Sequence, residues 1–187
     1  MKSGTKDKLL KESLKIIRKN GLKGLSIRGL TEKVGIKGSS FYEHFKNKEE
    51  LLEVIRGSSL ATLFSKMKNN AKDSNEPKDM LLKYGQAYIS FSQLRPDEFH
   101  LLFEESKSKR ESKSDEISEA SPYSLLFIEF NKLVNSDPAL VETYCFGYWS
   151  LVHGISNLRK GHLKDYKANF EKENMRVLSV YLDGVLL

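Results

Sequence analysis

The 187-residue sequence predicts an all-α fold, on three observations. Apolar residues recur at i, i+3 and i+4 along nearly the whole chain. No segment shows the strict alternation of a half-buried strand flanking a hairpin turn. Each of the four prolines, Pro77, Pro96, Pro122 and Pro138, stands before an apolar periodic run, where a first helical turn tolerates its missing N–H. About nine helices are expected, a three-helix head followed by a larger helical body.

Leu10, Leu14 and Ile17, widened by Leu9 and Ile16, mark a first helix over about residues 5–20, which Asn20-Gly21 ends. Ser26 is a suitable N-cap for a short second helix whose Ile27, Leu30 and Val34 face inward and which Gly35 terminates. A third spans about 38–44. Asn47 with Glu50 three residues on then opens a long fourth helix, with Leu51, Val54, Ile55, Leu63, Phe64 and Met67 as its expected buried side. The prolines start helices over about 77–94, 96–105, 122–135 and 138–160, and a last helix covers about 166–185. Between Glu105 and Ser121 the polar run SKSKRESKSDEISEA has too little apolar surface to offset its ordering entropy and reads as a mobile loop.

Charge is unevenly divided. Residues 1–50 carry thirteen Lys+Arg against six Asp+Glu, a net of +7, while the remaining residues carry eighteen against nineteen, a net of −1. A basic head on a neutral body is the electrostatic footprint of a polyanion-binding module. The longest uncharged stretch, Thr143 to Leu158, has about 16 residues where a membrane span needs about 20. The start, MKSGTKDKLLKES, lacks the apolar core of a signal peptide, and the single Cys145 offers no intrachain disulfide; both suggest a cytoplasmic address.

The stretch GIKGSSFYEHF joins two short helices by a glycine turn, the helix-turn-helix arrangement. Leu30 and Val34 on one side and Phe41 and Phe45 on the other would lock the two helices together. Lys37, Gly38, Ser39, Ser40, Tyr42 and His44 then face outward, with side chains small enough near the third helix's start for its backbone to approach a groove. Tyr42, Lys48 and His44 can reach phosphates.

These residues carry a resemblance. LSIRGLTEKVGIKGSSFYEHFKNKEELL resembles the DNA-binding segment of the TetR family of transcriptional repressors, agreeing with its pattern at Ser26, Arg28, Leu30, Gly35, Ile36, Ser39, Ser40, Phe41, Tyr42, His44, Phe45, Lys48 and Glu49. Thr31 and Val34 stand where the family has alanines, and Lys37 where it has a capping serine. The resemblance implies that Ser26, Arg28, Tyr42 and Lys48 hold phosphates of double-stranded DNA while Lys37, Gly38, Ser39 and Ser40 lie nearest the base edges. It further implies residues 1–47 as the helix-turn-helix DNA-binding domain and 48–187 as a ligand-binding and dimerisation domain.

Within the second part, Trp149-Ser-Leu-Val-His153-Gly154 resembles the Trp-x-x-x-His-Gly signature of one subgroup of the family. Trp149 and His153 share a helical face, and Gly154 leaves room for another helix. His153 reads either as a hydrogen-bonded core residue or as a ligand contact. Aromatic residues are numerous, and the resemblance implies a hydrophobic or aromatic small-molecule inducer among Tyr84, Tyr88, Phe99, Phe103, Tyr123, Phe127, Tyr148, Trp149 and His153. It also implies a homodimer on a pseudo-palindromic operator, its last two helices pairing through Ile155, Leu158, Leu178, Leu182 and Val185.

Enzyme chemistry has no foothold in the pattern. The four histidines and Cys145 are scattered, with no HExxH, CxxC, P-loop or Gly-x-Ser-x-Gly, so neither a metal nor a nucleophile nor a cofactor is expected. The alternative is a helical adaptor whose basic head binds a protein or an anionic surface; the head's short helices lack the amphipathic moment needed to lie on a membrane.

Overall fold

A computed structural model describes residues 4–103, 121–134, 137–161, 163 and 170–185. Among them all regular structure is helical: α1 (Thr5–Asn20), a 3-10 turn (Leu22–Gly24), α2 (Ile27–Val34), α3 (Gly38–Tyr42), α4 (Lys48–Asn70), α5 (Pro77–Leu94), α6 (Pro96–Phe103), α7 (Pro122–Val134), α8 (Pro138–Lys160) and α9 (Phe170–Val185). All four prolines are first helical residues, as expected. The expected loop at 105–121 and the expected first residues of the last helix fall almost wholly outside the described residues.

Packing groups Met1–Ser59 with Arg95–Lys113 as one unit, the head, and Leu60–Leu94 with Ser114–Leu187 as another, the body. The core of the head is Leu9, Ile16, Ile17, Leu25, Leu30, Phe41, Phe45, Leu51, Ile55 and Leu101, with Val34 and Ile27 packed against it. Leu101 comes from α6, so this helix completes the head's core. A buried carboxylate fixes it there: Glu98 accepts from Arg18 Nε on α1 (2.6 Å), from Arg95 Nη1 (3.3 Å) and from Ser59 Oγ on α4 (3.3 Å), while Arg56 Nε donates to the Leu101 carbonyl (2.8 Å). Glu98 is 1% exposed, and three donors offset its desolvation. Neither Glu98 nor Ser59 was singled out from the sequence, because a charged residue in the first turn of a helix ordinarily faces water.

Along α4 the buried line advances four residues at a time, through Leu51, Ile55, Ser59, Leu63 and Met67. Val54, expected inside, lies off that line and is 36% exposed; Phe64 is half-buried.

In the body, α5 packs on α7, α8 and α9, and its inner face carries Leu81, Tyr84, Tyr88, Ile89 and Phe91. Leu178 and Leu182 of α9 are fully buried within the chain, which corrects the expectation that they lie on a pairing face. Leu178 packs where Gly85 leaves room: a Cβ there would overlap the Tyr148 hydroxyl and come within 2.7 Å of Leu178 Cδ1. The Tyr148 hydroxyl in turn donates to the Leu81 carbonyl (2.6 Å). Gly85→Ala should therefore cost about 1–3 kcal/mol by overpacking. Gly57→Ala, at an exposed helical position with open space around the missing Cβ, should stabilise by about 0.5–1 kcal/mol. Urea unfolding of the two variants checks the pair of opposite signs. Among the described residues no helix is long and apolar enough to cross a membrane.

Candidate nucleic-acid interface

The turn between α2 and α3 is built by local chemistry. Ser26 caps α2, its Oγ accepting from the Gly29 N–H (3.2 Å). Gly35 takes the left-handed conformation (φ 73°, ψ 37°), its N–H directed at the Glu32 carbonyl and the next N–H, of Ile36, bonded to the Thr31 carbonyl (3.0 Å). Only a residue without a Cβ adopts that φ at little cost, and the two bonds close off α2 so that the chain reverses. Leu30 and Phe41 are fully buried and Phe45 is 1% exposed, with the two phenylalanine rings 5.6 Å apart. This wedge sets the angle of α3 against α2.

α3 is a single turn of helix, shorter than the seven residues expected. The N–H groups of His44 and Phe45 both bond to the Phe41 carbonyl (3.0 Å each), turning the chain toward α4. Lys37 stands at the N-cap of α3 with no side-chain capping bond. Asn47 does cap α4, as expected, its Oδ1 accepting from the Glu50 N–H (2.8 Å), while Glu50 reaches back to the Lys46 N–H (2.6 Å), one residue before the N-cap N–H that a capping box uses.

The outward residues lie on α2 and its N-cap, on α3 and its N-cap, just after α3, and at the start of α4. Lys37, Gly38 and Ser39 are exposed; a Cβ on Gly38 would meet nothing within 4 Å. Ser40, His44 and Lys48 are half-buried. Tyr42 is 59% exposed, its ring set edge-on against Phe41 at 5.4 Å, so the ring is braced while the side chain remains open to a partner. Ser26 keeps its hydroxyl hydrogen as a donor while its oxygen serves the cap. Arg28 is exposed and pairs with Glu32 through Nε (2.9 Å), a surface contact weak enough to exchange for a phosphate. Lys33 and Lys46 are exposed on the same small unit, and Lys6 lies over the Phe45 ring (5.5 Å). These three were not singled out, although the charge count of the first fifty residues includes them.

The aromatic residues expected to bind a ligand divide between the units. Phe99 and Phe103, with ring centroids 5.0 Å apart, belong to α6 and the head. Tyr84, Tyr88, Tyr148 and Trp149 come together in the body with Met67, Gly85, Leu126 and Val152 around a void of ≈ 0 Å³, too tight to admit a water molecule. Trp149 and His153 both engage Tyr88: the indole edge-on at 5.2 Å, the imidazole through Nδ1, 2.9 Å from the Tyr88 hydroxyl. Tyr123 stands edge-on to Trp149 at 6.3 Å, and Phe127 is half-buried. Burial, aided by the charge of Glu129, pushes the Tyr84 phenol up to about 12, and burial also raises Tyr88 and Tyr148; all three are neutral donors at physiological pH. Burial likewise pushes the Cys145 thiol up to about 12, which denies it a thiolate. Gly154, expected to admit a neighbouring helix, faces open space within the chain. Among the described residues no group of three or more His, Cys, Asp or Glu is placed to hold a metal ion.

Comparison with known proteins agrees with this geometry. Residues 9–55 match the family model described as bacterial regulatory proteins, tetR family. YerO of Bacillus subtilis, an HTH-type transcriptional regulator, is 32% identical over 80 residues, covering 42% of this chain and 28% of that protein. KstR2 of Mycolicibacterium smegmatis, an HTH-type transcriptional repressor, is 26% identical over 105 residues, covering 56% and 50%. The chain thus spans half or less of the length of the curated relatives it matches.

Solved structures share the fold over nearly the whole chain. A protein of unknown function from Rhodococcus sp. RHA1 superposes with a TM-score of 0.81 at 16% identity, covering 99% of this chain and 97% of that one. SCO7222, a TetR from Streptomyces coelicolor, gives 0.71 at 12% identity over 96% of each chain. A TetR variant from Acinetobacter baumannii AYE, in complex with minocycline, gives 0.67 at 14% identity over 94% and 93%.

Proposed function

We propose that the protein is a ligand-responsive transcriptional regulator that binds a pseudo-palindromic operator as a homodimer, represses from it, and is released by a small hydrophobic or aromatic molecule. The observation that carries the DNA-binding part is the surface around α3: a glycine-and-serine helix start with an exposed, braced Tyr42, on a unit that holds the chain's excess positive charge. Residues 1–47 serve as the DNA-binding part and 48–187 as the ligand-binding and dimerising part. This is a division of roles, since the start of α4 and α6 also belong to the head's packing. Ser26, Arg28, Tyr42, His44 and Lys48 hold phosphates; Lys37, Gly38, Ser39 and Ser40 meet base edges. Such a regulator works where the chromosome is, in the cytoplasm.

The match to the tetR family model and the names of YerO and KstR2 support this reading. For release, the support is the minocycline bound to the Acinetobacter relative and the meeting of Trp149 and His153 on Tyr88, which also favours the Trp-x-x-x-His-Gly subgroup for the body. An inducer among these rings has to part them, because the void they leave is smaller than the roughly 300 Å³ at which ligand pockets begin. For the dimer, the support is the apolar surface left on the last two helices: Phe146 is 70% and Val180 65% exposed, and Leu158 and Val177 are also open.

Phosphate contacts weaken uniformly when removed. Tyr42→Ala and Lys48→Ala should each reduce affinity about 5- to 30-fold for every duplex tested, and Lys48→Ala should lower the salt slope by about 1 per head. Fluorescence anisotropy against several duplexes at graded salt checks this. A loss confined to one base position would contradict the phosphate role, and retention of a protein or lipid partner in the presence of excess duplex would favour an adaptor.

A further inference from the structure

We propose that a polar cleft in the body, lined from α4, α5, the end of α8 and α9, is a small-molecule site of its own, built for a short zwitterion whose carboxylate meets Arg159 and whose ammonium meets Glu171. The cleft consists of two adjoining hollows of ≈ 200 and ≈ 490 Å³ that share Gln86, Ser90 and Glu171; the second alone reaches the size of small-molecule sites, at about 300 Å³ or more. It is separate from the ring cluster around Tyr88 and has the opposite chemistry, being lined mainly by carboxamides and charges. The inference therefore does not rest on the DNA-binding reading or on a hydrophobic inducer.

Of the two charged groups, Arg159 is braced and Glu171 is exposed. The Arg159 guanidinium lies over the Phe170 ring, 4.1 Å from its centroid, which fixes its plane and leaves its N–H edge to meet a carboxylate in a two-pronged contact. Glu171 receives one long bond, from Gln86 Nε2 at 3.5 Å. Gln86 is itself oriented, its Oε1 accepting from Asn70 Nδ2 (3.3 Å), which also donates to the Lys83 carbonyl (2.8 Å). Arg159 and Glu171 line the same hollow and are not paired with each other.

The charges select the class of occupant. A simple anion would satisfy Arg159 but face Glu171, and a simple cation would do the reverse. A neutral polyol would cover both charges and compensate neither, which is costly. Arg159 and Glu171 are the charged residues lining the first hollow, and a molecule with one charge of each sign neutralises both there; the adjoining hollow adds the exposed Lys66. Gln93 and Asn174 supply further hydrogen bonds, and Ile89 and Met175 supply apolar surface for the carbon chain between the charges.

The chain has four methionines, and two of them report on the two candidate sites. Met175 lines the cleft, while Met67 lines the void among the rings. The full-length protein, labelled with 13C at the methionine methyls, is titrated with ω-amino acids from glycine to 6-aminohexanoate, with acetate and ethylamine as single-charge controls. The expected result is a saturable shift of the Met175 signal with at least one chain length, a still Met67 signal, and no matching effect of either control. Arg159→Gln and Glu171→Gln should each weaken binding about 10-fold or more.

No saturable Met175 shift with any member would overturn the proposal, as would an equal shift with acetate alone, or binding that both substitutions leave unchanged. If Arg159→Gln disturbs the Met67 and Met80 signals of the free protein, Arg159→Lys replaces it. That variant keeps the charge, loses the fork, and should still weaken binding. An aromatic inducer entering the ring cluster would move Met67 instead, so the two ligand readings fail separately.

Discussion

Phe41→Ala lowers the stability of the head by about 3–5 kcal/mol and abolishes duplex binding. Phe41 is fully buried and packs its ring against Phe45 and Tyr42, so truncation loses transfer free energy and leaves a cavity. The loss falls on a small unit with little reserve, and α3 is a single turn with no stability of its own. Without the wedge, Gly38, Ser39 and Tyr42 are no longer presented at a fixed angle. Trp149 is the only tryptophan and lies in the body, which permits the two units to be followed by different probes. Far-UV circular dichroism in urea should show a transition moved to lower denaturant, while the Trp149 fluorescence transition moves less. Coincident, unshifted transitions would show that Phe41 does not hold the head.

The double substitution Phe146→Glu, Val180→Glu yields a folded monomer that binds operator DNA at least about 100-fold more weakly. Both side chains are mostly exposed in the single chain, so the charges cost its fold little. Covered by a second copy, each apolar side chain would contribute about 1.5–3 kcal/mol, and a glutamate there would be desolvated instead. Operator affinity falls with the dimer because two linked heads bind with an effective concentration that two free heads lack. Sedimentation velocity and anisotropy on one preparation separate the outcomes. A variant that remains dimeric would move the interface to another surface, and a monomer with undiminished operator affinity would remove the dimer from the mechanism.

Much of this architecture was legible because it is written in local rules. Ser26, Gly35, Asn47 and the four prolines act within a few residues of where they stand, so helix boundaries followed from capping chemistry and backbone freedom. The outward face of α3 was legible for the related reason that small polar residues beside two phenylalanines have few other uses. What was not legible depends on contacts distant in sequence. Glu98 is buried because Arg18, eighty residues earlier, reaches it. Gly85 is required because Tyr148 and Leu178 converge there, and nothing near Gly85 in sequence announces them. Leu178 and Leu182 form an apolar stripe whether they pair with the same chain or with a copy, and periodicity alone cannot distinguish the two. The aromatic residues were counted as one group, yet Phe99 is buried in the head and Phe103 beside it is 42% exposed, while the polar cleft around Arg159 and Glu171 has no local motif at all.

The proposed role turns on whether two α3 surfaces are presented together to the major groove of a duplex. Sequencing the DNA that the purified full-length chain retains from a random pool tests this directly. An inverted repeat whose half-sites are centred about one turn of B-form DNA, or about 34 Å, apart is the result this account predicts. Recovery of no enriched sequence, or of a single unrepeated half-site by a protein that sediments as a dimer, would contradict it.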